Sequence, residues 1–370
     1  MKLIIIKTNL KNGLATVERA VGEASSLPIL KNVHIEAHQN KISLTATNLE
    51  IATTARISGK VIEEGALTLP IMIFLDIINN LQSERINIET KENAAMIAAD
   101  NYTATIQGSS AEEFPIIPKI KNKEEYIEMK GIMLREALAQ VVASTQLSAV
   151  RTELNTVLCE YTLDALRLVG TDSFRLSEKT IPKNQLTGTQ KDAFKILLPL
   201  KTAQELLRIV KDEDEIKIHK DENQILFSSP NFELISRLNT GSFPDYHAIL
   251  PQKFNAEIAL DRRELASALK LVGVMSSKTN EIKIKITENK KAIEVFSVDQ
   301  SLGENTYTLP AKIQGSVLEL SFNWRYLTDG LRALPGNDVS WGMNENNKPA
   351  LLRSPTDTSY FYILMPILKA

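Results

Sequence analysis

The sequence predicts an α+β domain used three times in one chain, and three observations carry that expectation. The first is length: 370 residues is material for two to three domains of ordinary size. The second is a recurring order of elements: an alternating strand, an amphipathic helix, a strand pair closing on a polar turn, a second helix, then further strands. The third is spacing. Asn48, Asp172 and Asp299 sit in the polar turns at intervals of 124 and 127 residues. Pro70, Pro199 and Asn323 open the second helices at intervals of 129 and 124. Phe114-Pro115 and Phe243-Pro244 close the first two copies 129 residues apart, and Met365-Pro366 closes the third.

The elements follow in order. First helices are expected over residues 10–21, 131–144 and 261–275. In the second of these Leu134, Leu138, Val141 and Val142 recur at helical spacing; in the third Leu265, Leu269 and Val272 do so, with Asp261 as N-cap. The turns are carried by "TATNLEI", "VGTDSFRL" and "FSVDQSL". The second helices read "PIMIFLDIINNLQ", "PLKTAQELLRIVKD" and "NWRYLTDGLRAL", with proline expected in the first helical turn, where its missing N–H costs nothing. Proline-bearing polar linkers at 116–125 and 248–256 set expected domains of 1–120, 125–252 and 253–370. Six helices covering one face of antiparallel sheets complete the expected architecture.

Composition narrows the function. Lys and Arg number 43 against 45 Asp and Glu, for a net charge of -2. Where the charges lie matters more than their sum. The helices carry Lys11, Arg19, Arg135, Lys201, Arg208, Arg263, Lys270 and Arg332, while much of the acidity falls in turn-like stretches such as "VIEEG" and "KDEDE". Acidic residues also occur on the helices, so an ordinary solvated face competes with the alternative, a basic face that holds phosphate backbone without reading sequence. The single cysteine, Cys159, rules out an intramolecular disulfide and sits in an apolar strand-like run, where a buried inert thiol is expected. The N-terminal apolar run is too short for a signal peptide and no window is long enough to span a bilayer, so a cytoplasmic protein is expected. The four histidines are scattered; His34 and His38 fall on a strand, where their spacing does not converge the rings. No phosphate loop, dinucleotide fingerprint, nucleophile elbow or zinc motif is present, so no cofactor and no metal are expected.

The stretch "GTDSFRLSEKT" raises a hydrolase alternative, with Ser173 or Ser177 as nucleophile beside Asp172. No histidine lies nearby in sequence, and an Asp in a strand turn more often bonds local backbone, so no enzyme is expected. A repeat scaffold that does not bind DNA is the other alternative.

Six segments then carry a specific resemblance: "LPILKNVHIE", "TATNLEIATTARI", "TDSFRLSEKTIP", "SFPDYHAILP", "SFNWRYLTDGLRAL" and the ending "FYILMPILKA". In this order, over the whole length, the chain resembles the bacterial DNA polymerase sliding clamps, the beta subunits of DNA polymerase III. The resemblance implies the DNA-clamp fold, with helices lining a ring and sheets outside. It implies a head-to-tail homodimer around double-stranded DNA without sequence specificity. The implied partners are the polymerase III alpha subunit, the clamp loader, other polymerases and mismatch-repair proteins; localisation would be cytoplasmic at the nucleoid.

Partners of this family share an apolar peptide pocket. By motif match it falls on Leu154, Thr171, Ser173, Phe174, Arg175, Leu176, Pro244, Ile249, Asn323, Tyr326, Leu351, Ile363, Met365, Pro366 and Ile367, with Arg175 and Asn323 as polar handles. Ser-Phe follows Asp172 where Gly-His is common, and the chain ends "ILKA" after Met-Pro. Arg151 matches a basic DNA-facing position; Ala24 stands where an Arg is sometimes found. Dimer contacts are expected from 102–107 and 271–277, through Ile106, Val274 and Met275.

Overall fold

The computed structural model describes residues 1–22, 27–145, 147–148, 150–276, 278–345 and 348–368. Ala24, Ser277 of the expected 271–277 contact, Lys369 and Ala370 lie outside these residues. Six α-helices are present among them: α1 (Lys7–Val17), α2 (Ile71–Asn80), α3 (Gly131–Val142), α4 (Leu200–Ile209), α5 (Arg262–Gly273) and α6 (Trp324–Ala333). They form two per repeat, as the spacing predicts. Pro70 and Pro199 stand one residue before the first turn rather than inside it: Pro70 is the N-cap of α2, and Pro199 ends the strand Phe194–Pro199. Asn323 holds the same station before α6, where its side chain accepts from the backbone N–H of Arg325 at 3.0 Å and Tyr326 at 3.3 Å. Asp261 caps α5 as its sequence signal predicts, accepting from Glu264 N–H at 2.7 Å.

The chain packs as two compact units. One comprises Met1–Ile132, Thr187–Lys191 and Arg208–Leu238; the other comprises Met133–Leu186, Asp192–Leu207 and Asn239–Ala370. The middle third is thus divided between them, because strands of neighbouring thirds pair into continuous sheets. In the first unit a nine-stranded antiparallel sheet crosses from the first third to the second where Ile51–Ile57 pairs with Phe232–Arg237. A five-stranded sheet completes this unit, with Tyr102–Gln107 at its edge. In the second unit another nine-stranded sheet crosses where Arg175–Pro182 pairs with Tyr360–Leu364. Its companion is a four-stranded sheet with Gly303–Pro310 at its edge.

Each helix buries one stripe. On α5, Leu265, Ala268, Leu269 and Val272 are buried at i, i+3, i+4 and i+7, in one core with Leu327 and Leu331 of α6 and with Trp341. The α5–α6 approach is close enough that a Cβ on Gly273 would lie 2.6 Å from the Trp324 ring. On α1, Leu10, Leu14 and Val17 turn inward to Leu3, Ile5, Phe74 and Ile78. Strand alternation does the rest: in Lys2–Ile6 only Leu3 and Ile5 face the core. Among the described residues no helix is long and apolar enough to cross a membrane.

Two expectations fail on burial. Ile106 sits on the core face of its edge strand at 5 % exposure, paired with Ala95 and in one core cluster with Ile97 and Leu69, and is not offered to a partner. Arg208, expected among the DNA-facing cations, is half-buried and donates to the backbone oxygens of Ala15 and Thr16, where the last carbonyls of α1 need donors. Arg262 at the start of α5 does the same for α6, donating to Leu331 O at 3.0 Å and Gly336 O at 2.7 Å.

Candidate functional site

The site grows from the Asp172 turn in the second unit. Asp172 Oδ1 accepts from the N–H groups of Phe174 (2.9 Å) and Arg175 (3.0 Å), and Thr171 Oγ1 donates to Arg175 O at 2.7 Å. Ser173 takes φ +79° to close the turn. The first repeat copies this bond for bond: Asn48 Oδ1 accepts from Glu50 (3.0 Å) and Ile51 (2.9 Å), Thr47 Oγ1 donates to Ile51 O at 2.9 Å, and Leu49 takes φ +74°. Asp299 accepts from Ser301 and Leu302 N–H in the third. The turn is architecture before it is anything else, as its threefold recurrence in sequence predicts.

Both serines of this stretch are engaged in hydrogen bonds. Ser177 is fully buried and its Oγ donates to Val141 O of α3 at 3.4 Å. Ser173 Oγ accepts from Arg151 Nη1 at 2.8 Å. Arg151 also pairs with Glu153 at 3.1 Å. Cys159 is buried, and burial pushes its thiol up to about 12. Among the described residues no group of three or more His, Cys, Asp or Glu side chains is placed to hold a metal ion.

What the turn does is start an apolar row. Thr171 pairs with Leu176, Leu176 with Ile363, and Ile363 with Leu351, so four of the expected pocket residues lie side by side on one sheet face. Leu176 and Ile363 are almost fully buried and belong to one cluster with Leu158, Val169, Phe243 and Tyr246; Leu351, Leu250 and Phe361 pack against it half-buried. These residues are floor rather than wall. Leu154 is buried in the short turn Thr152–Leu154. Tyr246 fixes the linker over the cluster, its hydroxyl donating to Glu178 at 2.6 Å; burial first, then Glu178, pushes that hydroxyl's pKa up.

The more accessible members surround this floor. Phe174 is 61 % exposed and Ile249 48 %, while Pro244, Met365 and Ile367 are half-buried and Pro366 is buried. The chain end is held in place by two backbone bonds, Met365 N–H to Phe174 O at 2.9 Å and Ile367 N–H to Ser321 O at 2.8 Å.

Three expected members do something else. Arg175 lies one residue from Leu176, so alternation sends it to the opposite face, toward α6. There it pairs with Asp172 (2.9 Å) and Asp329 (2.6 Å) and stacks on the Tyr326 ring at 4.1 Å. Its guanidinium is a buried clamp joining turn, sheet and helix, not a free handle. Asn323 is committed as the α6 cap, and Tyr326 as Arg175's platform. Sequence reading missed Asp329 and the supporting Phe243, Tyr246, Leu250 and Phe361. The "SFPDYHAILP" segment is the available signal for Phe243, Tyr246 and Leu250, and the ending "FYILMPILKA" for Phe361; nothing local marks Asp329.

The cations expected to face DNA divide similarly. Lys11, Arg19, Lys201, Arg263 and Lys270 are exposed, as is Arg332, which lies 4.0 Å from Asp329. Arg135 and Arg208 are half-buried. Val274 is 75 % exposed and Met275 half-buried.

Comparison with known proteins agrees with this geometry. Three family models match in order: the DNA polymerase III beta subunit N-terminal domain over residues 1–118, its central domain over 128–245 and its C-terminal domain over 247–368. The beta sliding clamp of Synechococcus elongatus is 28% identical over 374 residues, covering 99% of both chains. That of Staphylococcus epidermidis is 26% identical over 378 residues with the same coverage. Among solved structures, the Bacillus subtilis sliding clamp superposes with TM-score 0.95 at 24% identity, covering all of both chains. A Pseudomonas aeruginosa sliding clamp bound to griselimycin superposes with TM-score 0.94, also at 24% identity. With its whole length matched domain by domain and its three-domain fold the same, this chain belongs to the DNA polymerase III beta subunit family.

Proposed function

We propose that the chain is a DNA polymerase processivity factor, a homodimeric ring that encircles duplex DNA and tethers its partners through the apolar floor Thr171–Leu176–Ile363–Leu351. The observation that carries this reading is a pair of matching open edges. Within the chain, the strand after each repeat's polar turn pairs with the last strand of the next repeat: Ile51–Ile57 with Phe232–Arg237, and Arg175–Pro182 with Tyr360–Leu364. The third repeat's strand, Gly303–Pro310, and the first repeat's last strand, Tyr102–Gln107, are both edges. Continuing the rule joins the third repeat of one copy to the first of another. Such a contact is heterologous and closes after two copies as a ring of six domains, which also removes both edges.

The helices follow the same rule. α4 reaches α1 through Arg208, and Gln140 of α3 donates to Ala333 O of α6 at 2.8 Å. The remaining match is α5 with α2 of the partner, where Leu271 and Val274 on one side and Met72 and Ile73 on the other are exposed. Val274 and Met275 belong to this interface. The domains are 1–120, 125–252 and 253–370. Lys11, Arg19, Lys201, Arg263, Lys270 and Arg332 face the phosphates, held by charge alone, and no residue carries a chemical step. The polymerase III alpha subunit, the clamp loader, other polymerases and mismatch-repair proteins insert apolar anchors over the floor, in the cytoplasm.

The pocket is tested with Met365→Ala. Its backbone bond to Phe174 survives the change, so loss of the side chain should weaken a polymerase alpha-subunit peptide about tenfold, the scale of one buried Met, while sedimentation still shows a dimer. Unchanged peptide affinity removes Met365 from the pocket.

A further inference from the structure

The first junction within the chain repeats the floor of the second, residue for residue. Thr47 pairs with Ala52, Ala52 with Ile235, and Ile235 with Leu226. Each has its counterpart in Thr171, Leu176, Ile363 and Leu351, reached from an identically bonded turn. One substitution distinguishes them: Ala52 stands where Leu176 stands, leaving room above the row.

That room is taken by the chain itself. Ile120 of the linker is only 5 % exposed and packs on Ala52, Leu226 and Ile235, with Ile117 beside it. The backbone is bonded on both sides of Ile120: Gln224 Nε2 donates to Lys119 O at 3.3 Å, and Lys121 N–H donates to Asp221 at 3.0 Å. The other end of the segment is fixed where Phe114 stacks on His34, ring centroids 5.2 Å apart. Between these two anchorages the segment arches over a cavity of about 450 Å³ that reaches the row itself at Ala52, Leu226 and Ile235 and is otherwise lined on the sheet side by residues such as His34, Thr45 and Thr54. Two apolar side chains three residues apart, seated on a sheet row and flanked by backbone hydrogen bonds, are how a docked peptide is held.

We propose that the first junction is a second, latent peptide site, held shut by residues 114–123 acting as an internal ligand. Its ligand class is the short apolar-anchored peptide assigned to the second junction, and the inference rests on that assignment. It accounts for why a chain with two similar floors offers only one to partners: the second floor's linker buries Phe243 and Tyr246 but leaves Ile249 exposed and Leu250 half-buried, whereas the first also buries Ile120.

Calorimetry on the full-length dimer with a polymerase alpha-subunit peptide tests this. The wild type should bind one peptide per chain, and Ile117→Ala/Ile120→Ala should bind two. In a second experiment, independent of how that variant folds, a synthetic peptide of residues 114–123 should displace the polymerase peptide from the wild type. One peptide per chain in the double variant, or no displacement by the 114–123 peptide, overturns the latent site while leaving the second-junction pocket standing. No binding to the wild type overturns the pocket, and the latent site with it.

Discussion

Asp172→Ala is the sharpest test of how the site is built, because the molecule supplies its own control. Asp172 accepts two turn N–H bonds and one from Arg175 Nε, with its side chain 3 % exposed and that of Arg175 10 % exposed. Asn48 makes the same two turn bonds in the first repeat, and among the described residues no cation bonds its side chain. Losing two turn bonds costs about 1 kcal/mol net on an accessible turn. Losing one partner of a buried ion pair costs about 3–5 kcal/mol when nothing else compensates. Asp329 still holds Arg175 Nη1 at 2.6 Å. The remaining partner brings the expectation for Asp172→Ala to about 3 kcal/mol, against about 1 kcal/mol for Asn48→Ala. In urea the difference is a midpoint shift on the order of 1 M. Trp324 and Trp341, the protein's two tryptophans, both lie in the second unit and report its unfolding by fluorescence; circular dichroism follows both units, so the first is read as the ellipticity change that fluorescence does not share. Asp172→Asn, which keeps the turn acceptor and loses the charge, should fall between. If Asp172→Ala shifts the midpoint no more than Asn48→Ala does, Arg175 is not the clamp described above.

Other expectations follow from burial and packing. Burial lowers the pKa of His219 and of His34 below the usual 6.5, so both are held neutral in the first unit. The unfolded chain takes up those protons first, so their stabilisation is present above about pH 6.5 and is lost as pH falls toward their folded values. His219→Phe, which keeps a ring against Tyr126, should flatten thermal stability between about pH 7 and 5; an unchanged slope contradicts this. Gly273→Ala places a Cβ 2.6 Å from the Trp324 ring and should destabilise by about 1–3 kcal/mol through overpacking, with an altered Trp324 emission. A neutral effect with unchanged emission would show that α5 and α6 can part.

Much of this was readable from residue order because it is local. An Asp or Asn that bonds the next two N–H groups needs only its own turn, so Asn48, Asp172 and Asp299 could be aligned from spacing alone. Asp261 was readable as a cap for the same reason, and α5 from the recurrence of Leu265, Leu269 and Val272. The failures involve partners distant in sequence. Arg175 looked like a free cation because Asp329 lies 154 residues away. Arg208 looked like a phosphate ligand because the α1 carbonyls it serves lie almost 200 residues earlier. Ile106 sits in a weakly alternating strand, "YTATIQ", where only register decides which face is core. The division of the middle third follows from strand pairing between repeats, which no local pattern announces. Ile120 read as part of a polar linker, and only the row beneath it reveals its seat.

On the proposed function the dimer surrounds DNA rather than adhering to it. Loaded onto nicked circular duplex by a clamp loader, the protein should stay with the circle through gel filtration and leave when the circle is cut once by a restriction enzyme. Retention unchanged by linearisation would contradict the ring and return the exposed helix cations to the role of an ordinary electrostatic surface.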